Sequence, residues 1–537
     1  MFKEWVQKIL TSGMEGNNNE DERQWEIQPK PLDNSLQENL QSLKEIFDRC
    51  ADITFREFKI NADEPINATL IYLKEITDAK KISEYMLEPM MYEAPEIADD
   101  GQSVDNQVLH YVQNRLSTAA SVETARDIGE LTKGILDSKV ALLIDGASTA
   151  LLMAAPGGES RAIAEPDSEP VVRGSKDGFV EGLSTNIMLL RRRIRTSRLK
   201  TETLEVGDLT RTQIAVCYIQ GIANDKVVKE VKTRLQRIKM DGVLSSGYIE
   251  EMIQDEPLSI FPLILTTERP DRVAACLLEG RVAIMVDNCP MSLVAPCTFT
   301  TLLQASEDYY ITAEFSTFVR TLRFIGLNFS LMLPALTVAV FSFHQELIPQ
   351  PLLATVAGAR QELPFPIFLE ILVMEITFEL LREAGVRLPK TIGQAISTVG
   401  GLVIGQAAVN AGFVSPLSVI VVALTAISSF TIPNYPAGTS IRILRFSLLI
   451  CSAILGIVGI MFGLMLILFN LSSLRSFGVP YLSPLAPLSS KELKDTIVRV
   501  PWWAMITRPR MVNKGTERQA RNQGPHKPDQ EGGDSHR

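Results

Sequence analysis

Apolar and polar positions divide this chain of 537 residues into two unequal parts. Up to about Arg323 charged residues are dense and apolar runs are short, whereas from there to Leu474 charges are scarce and apolar runs are long. In the first part, aliphatic or β-branched runs at 68–73, 140–144, 149–153 and 214–219 alternate with amphipathic stretches such as 223–240. Further strands are expected at 260–265 and 282–286. This alternation predicts an α/β or α+β region. A Gly-, Pro- and acid-rich stretch at 156–174 splits it into two subdomains, 46–165 and 175–319. Residues 1–45 are read as a flexible N-terminal segment, because 11–40 holds too little apolar material to offset the entropy of ordering it. Within it Phe2, Trp5, Val6, Ile9 and Leu10 share one helical face, which suits either a short surface helix or a frayed end. The uncharged run 288–306 is too polar and proline-broken for a lipid-facing helix, and reads as a buried or membrane-apposed connector.

The second part, 320–475, predicts an α-helical transmembrane domain of about four to five helices. Residues 324–343 contain 20 positions without charge, enough to cross a bilayer core. Arg320 and Arg323 precede them and place that end in the cytoplasm by the positive-inside rule. No Asp, Glu, Lys or Arg occurs in the 51 residues 391–441. Two legs fit there, 391–411 and 417–431, with a turn at Asn410, Gly412 and Pro416. A last span is expected within 446–474. The remaining segment, 476–537, reads as a cytoplasmic juxtamembrane stretch with Trp502 and Trp503 as interfacial anchors, followed by a disordered tail.

Two pieces of the apolar part carry candidate chemistry. The helix predicted at 364–389 is apolar but holds Glu370, Glu375 and Glu379. Carboxylates are costly against lipid, so they face protein, water or the interface, and they form a candidate pore or cation path. The alternative is an amphipathic interfacial helix with a solvated acidic face. In the following leg Thr391, Gln394, Thr398, Gly401, Gly405, Ala408 and Gly412 recur every three or four residues. Such a small, polar stripe serves helix packing or lines a pore.

Composition narrows the function. A net charge of -10 argues against nucleic acid as a partner. The basic run Arg191, Arg192, Arg193, Arg195, Arg198 and Lys200 is either a partner or headgroup surface, or a helix end whose cations pair with nearby acids. Six scattered cysteines and four histidines give neither a disulfide framework nor a metal-ligand pattern. No signal peptide is recognisable at residues 1–10. Neither GxxxxGK[ST], GxSxG nor HExxH occurs, and Asp145, Glu159 and Glu165 read as loop charges, so no enzyme, cofactor or metal is expected.

Four long motifs stand in the chain: EGLSTNIMLLRRRIRT (181–196), TERPDRVAACLLEGRVAIMVDNCP (267–290), PFPIFLEILVMEITFELLREAGVRLP (364–389) and GLVIGQAAVNAGFVSPLSVIVVALTAISSF (401–430). Through them the chain resembles the A subunits of GerA-type spore germinant receptors, in the right order over about half its length. The resemblance implies an A subunit in the spore inner membrane, with a transporter-like B subunit and a lipoprotein C subunit as partners. It also implies a homo-oligomer of A that forms a nutrient-gated channel for monovalent cations. An A-like paralogue associated with the stage V sporulation channel proteins shares these motifs and is the alternative. A secondary transporter is a further one, although the two inverted halves it calls for are not visible.

Overall fold

The computed structural model describes residues 29–60, 66–74, 76–92, 122–155, 157, 165–166, 168–361, 363–389, 405–489, 492–505 and 507–513. The predicted surface helix at 2–10 lies outside these residues. The chain forms two compact units: one takes in residues up to 257, 264–296 and the chain from 502, the other 258–263 and 297–501.

The first unit is a duplication. In its first half, α1 (Leu36–Ile46) precedes β1 (Ile53–Ile60) and β2 (Ile66–Leu73). A helical run through Tyr92, β3 (Val122–Ala125), α2 (Ile128–Leu136), β4 (Lys139–Ile144) and β5 (Ala150–Ala154) complete it. The second half repeats the order: α3 (Leu183–Arg193), β6 (Leu199–Val206), β7 (Thr212–Ile219), α4 (Asp225–Arg237) and α5 (Ser246–Ile253). Then follow β8 (Leu265–Thr267), α6 (Pro270–Leu278), β9 (Val282–Val286) and β10 (Ser292–Ala295). The sheets are ordered β1-β2-β4-β5-β3 and β6-β7-β9-β10-β8, antiparallel throughout. These orders are the same once each strand is matched to its counterpart.

Matching hydrogen bonds hold the two copies. Asn39 closes a ring with the backbone of Asp33, and Asn186 closes the same ring with Val180. Asp145 accepts the N–H of Leu36 at the start of α1, as Asp287 accepts that of Leu183 at the start of α3. The sequence keeps a trace of the repeat, KVALLID at 139–145 against RVAIMVD at 281–287. Between the copies, Cys50 bridges to Thr201 in parallel, and the Arg191 guanidinium grips the Asp52 carboxylate at 2.8 and 3.0 Å.

Several expectations are corrected here. Residues 36–46, assigned to the flexible lead-in, are a helix because Leu36, Leu40 and Leu43 recur on one face and are buried. The connector at 288–306 follows the buried one of its two readings, supplying β10 and the short α7 (Phe299–Leu303) with Leu293, Val294 and Leu302 buried. Strand β8 begins only at Leu265, after Pro262. Part of the segment expected as a disordered tail is ordered: Val512 is buried and Asn513 bridges Ala223 within the first unit, and 514–537 lie outside the described residues.

The second unit is a helical bundle. Helix α8 (Ala313–Phe343) starts eleven residues before the charge-free run, since Arg320 and Arg323 are buried against Asp308 rather than marking its end. After α9 (Gln350–Arg360) come α10 (Ile367–Arg387), α11 (Gly405–Asn410), α12 (Pro416–Ser429) and α13 (Tyr435–Ser473). Two helices, α8 and α13, are long and apolar enough to cross a membrane.

Helix α13 is not the single last span expected from 446–474. Gly456 inside it is non-helical at φ 61°, ψ -138°. Ser440 near its start bonds the carbonyl of Ile260, and Ser476 just past its end bonds that of Leu263. Three extended residues reach about 10 Å, whereas a straight helix of 39 residues is about 58 Å long. The helix therefore reverses at Gly456 into two antiparallel legs, 435–455 and 457–473. Gly459 and Gly463 let them close: a Cβ at Gly459 would lie 2.1 Å from the Cys451 carbonyl oxygen, and one at Gly463 2.5 Å from Leu448. This is a GxxxG contact used within the chain.

Candidate functional site

Glu370, Glu375 and Glu379 of α10 are drawn into the bundle by the helices around it, while Glu383 stays on its exposed side. Near its start Ile367 and Ile371 pack with Val338 of α8, Val421 and Val422 of α12 and Leu449 of α13. This apolar layer fixes the rotation of α10 and turns Glu370 inward, where its side chain is fully buried. Its Oε2 accepts the backbone N–H and, through Ser418, a hydroxyl at the N-terminal end of α12, both at 2.9 Å. Arg360 Nε stands 3.5 Å from its Oε1. A carboxylate at a helix N-terminus meets unpaired N–H groups and the positive end of the dipole.

Further along α10, Glu375 is buried against Arg445 of α13 at 2.8 Å. One turn on, Glu379 takes Arg442 at 2.8 Å and Arg445 at 3.0 Å, with Arg382 at 3.9 Å. Arg382 also bonds the Ser429 hydroxyl at the end of α12. It lies over the rings of Phe378 and Phe430, with Arg442 over Tyr435 and Arg445 over Phe446. Sequence reading found the acids but missed these arginines, the nearest of which on α13 is 63 positions away. Glu370, Glu375 and Glu379 are thus paired with arginines within the chain rather than displayed on a solvated acidic face.

The small-residue stripe is only partly described. Thr391, Gln394, Thr398 and Gly401 lie outside the described residues. Gly405 is buried, and a Cβ there would meet Val419 at an ordinary 3.7 Å. Ala408 lies half-buried on α11. Gly412 has φ 67° and its N–H, with that of Phe413, bonds back to Val409 and Ala408, so it ends α11.

At the foot of α8, Asp308 is held by Arg320 and Arg323. Burial alone would raise its pKa, but the hydrogen bonds and charge of Arg323 and Arg320 hold the carboxyl below the usual range. The basic run of α3 behaves as a paired helix end: besides Arg191 with Asp52, Arg193 meets Asp177 and Arg195 meets Asp137. Asp145, read as a loop charge, caps α1. Among the described residues no group of His, Cys, Asp and Glu could hold a metal.

A duplicated sheet unit followed by a helical bundle with charged pairs in its interior, two of whose helices are long and apolar enough to cross a membrane, defines a two-part protein. A family model, Bacillus/Clostridium GerA spore germination protein, matches residues 41–511 and so runs through both units. The chain belongs to this family. It is 44% identical over 488 residues to the uncharacterized membrane protein YfkQ of Bacillus subtilis (strain 168), covering 91% of this chain and 93% of that one. Spore germination protein KA of the same organism is 42% identical over 499 residues, 93% of this chain and 90% of its own. Among solved structures, the N-terminal domain of the A subunit of the Bacillus megaterium spore germinant receptor GerK3 is 35% identical. It covers 51% of this chain and 99% of its own, with a TM-score of 0.40.

Proposed function

We propose that this chain is the A subunit of a nutrient germinant receptor in the spore inner membrane. In this reading it triggers germination by oligomerising into a nutrient-gated channel for monovalent cations, with no catalytic step of its own. The observation that carries it is the co-linear family match across both units, together with relatives named as spore germination proteins that it matches over about nine tenths of both chains. Its partners are a transporter-like B subunit, a lipoprotein C subunit and further copies of A. The helical unit is embedded, and the sheet unit and the end of the chain lie on the cytoplasmic side. Support for the last point is the reversal at Gly456, which returns the chain to the side from which α13 set out.

The cation path is proposed at Glu370, Glu375 and Glu379, because ionised groups inside an apolar bundle are expensive to keep and mark function by default. Gly405 and the stripe before it are proposed to line or pack that path. Reconstituting the chain with its B and C partners in vesicles and adding nutrient tests the reading through potassium or sodium flux. A membrane that stays tight in an assembled complex overturns the channel. In conducting complexes Glu375→Gln and Glu379→Gln should change cation preference, and unchanged selectivity removes these residues from the path.

A second reading is the accessory paralogue. Deletion of the gene separates the two. Loss of the response to one nutrient favours the receptor subunit, and a general germination defect with nutrient responses intact favours the paralogue.

A further inference from the structure

The charged cluster between α10, α12 and α13 does not balance. Arg382, Arg442 and Arg445 face two carboxylates, Glu375 and Glu379, and among the described residues they meet no other acid. The neighbouring Glu383 is paired with Arg387 on the exposed side of α10. Arg445 is 1% exposed, yet its Nε and Nη1 have no acceptor, Arg382 Nε is likewise buried without one, and the two Glu375 oxygens beside them accept no hydrogen bond. The ends of α10 and α12 contribute partial negative charge at this level, but they accept no hydrogen bond from these N–H groups.

The cluster occupies the first half of the leg 435–455. Arg442 and Arg445 are seven and ten residues along α13, so about 10 to 15 Å from its start. The rings over which the guanidiniums lie include Phe430 and Tyr435, themselves 69% and 65% exposed. Exposed aromatic rings beside cations near a helix end are the pattern of a bilayer interface. Basic pockets between helices at that level take phospholipid headgroups, and guanidinium forks match phosphate oxygens.

We infer that Arg382, Arg442 and Arg445 form a phosphate-oxyanion site that holds the headgroup of an anionic phospholipid in the bundle. This rests on the membrane placement proposed above, though not on conduction. The oxyanion supplies the missing negative charge and accepts from Arg382 and Arg445, while the Phe430 and Tyr435 rings flank the glycerol region.

The test uses the full chain, extracted from membranes and placed in nanodiscs of phosphatidylcholine alone or with phosphatidylglycerol. Native mass spectrometry should find phosphatidylglycerol retained about tenfold over phosphatidylcholine, with Arg382→Gln and Arg442→Gln each reducing that preference to near unity. Arg382→Lys should keep part of it. Equal retention of the two lipids by the unaltered chain overturns the site, as does a preference that survives both glutamine variants. Inorganic phosphate at millimolar concentration provides the second arm. Thermal protection by phosphate in phosphatidylcholine discs, without lipid preference, assigns the site to a free anion and overturns the lipid source. Should Arg382→Gln not reach the membrane fraction, Arg442→Gln decides. If the unaltered chain itself is absent from that fraction, the membrane placement fails first.

Discussion

Replacing Gly456 by alanine tests the reversal on which the layout of the bundle depends. At φ 61°, ψ -138° an L-residue is held outside its allowed regions, and such strain costs of order 1–3 kcal/mol. The new Cβ would also stand 3.1 Å from both His344 Cε1 and Phe343 Cγ at the end of α8, which must then shift. Overpacking of that kind adds about 1–3 kcal/mol, so the total is about 2–6 kcal/mol. At roughly 2–4 °C per kcal/mol for a unit of this size, the unfolding midpoint of the purified full chain should fall by about 4–24 °C. Gly438→Ala is the matched control. It sits in the same helix, nothing lies within 4 Å of its Cβ position, and its φ is not in the left-handed region. Alanine there should be neutral or stabilising by up to about 1 kcal/mol. Equal effects at the two glycines refute the strain argument. The reversal itself is checked by labelling with a membrane-impermeant thiol reagent. Tyr435→Cys and Ser473→Cys should react from the same side of sealed vesicles, and reaction from opposite sides means that α13 runs straight.

Three other outcomes follow from particular contacts. Asp52→Asn leaves Arg191 buried without its counter-charge, which costs about 3–5 kcal/mol. Hydrogen exchange at the Ala51 and Thr201 amides, which bond across the two copies, should accelerate by about a hundredfold or more, whereas Asp137→Asn in the exposed pair with Arg195 should cost under about 1 kcal/mol. Glu250 on α5 is pushed up by burial to about 7. Its folded form holds a proton that the unfolded chain releases near pH 4.5, so this contribution to stability is full below that pH and lost by about pH 7. Thermal unfolding against pH should show the decline in the unaltered chain and not in Glu250→Gln. Asn39→Leu and Asn186→Leu each break the same buried ring, so they should destabilise by similar amounts, about 1–3 kcal/mol per unsatisfied group. A large effect at one and none at the other counts against the two halves being equivalent.

What could be read from the chain alone depended on how far apart the interacting residues lie. Strands β2, β4, β5, β7 and β9 announce themselves because they are buried on both faces and so read as unbroken apolar runs. Strand β1, ITFREFKI, lies at the edge of its sheet and keeps charged residues, so it gives no such run. The duplication stays hidden because only the β4 and β9 segments remain alike, while its other supports are single residues. Asn39 and Asn186 are 147 positions apart, and Asp145 and Asp287 look like loop charges until each is seen capping a helix. The reversal in α13 is silent for a simpler reason. Both legs have the composition of membrane helix, and one glycine among several suffices to turn the chain.

The pairs between α10 and α13 constrain how such a bundle could open. At 2.8 Å and an effective dielectric constant near 20, one ion pair is worth about 6 kcal/mol in direct attraction, and Glu375 and Glu379 make three such contacts with Arg442 and Arg445 at 3.0 Å or less. Coupling between a nutrient site and a distant gate is typically 1–3 kcal/mol. That is too little to separate these charges in a dry interior unless water or new partners replace them at the same moment. Helix α10 and the first leg of α13 therefore move as one body during any opening driven by a ligand alone. A cation path along Glu375 and Glu379 requires the opposite, that hydration enters and the arginines swing away. The two glutamine variants divide these cases physically. In a lock, removing a carboxylate strands Arg445 and lowers stability while leaving ion preference as it was; in a path, it changes the field that a passing cation meets.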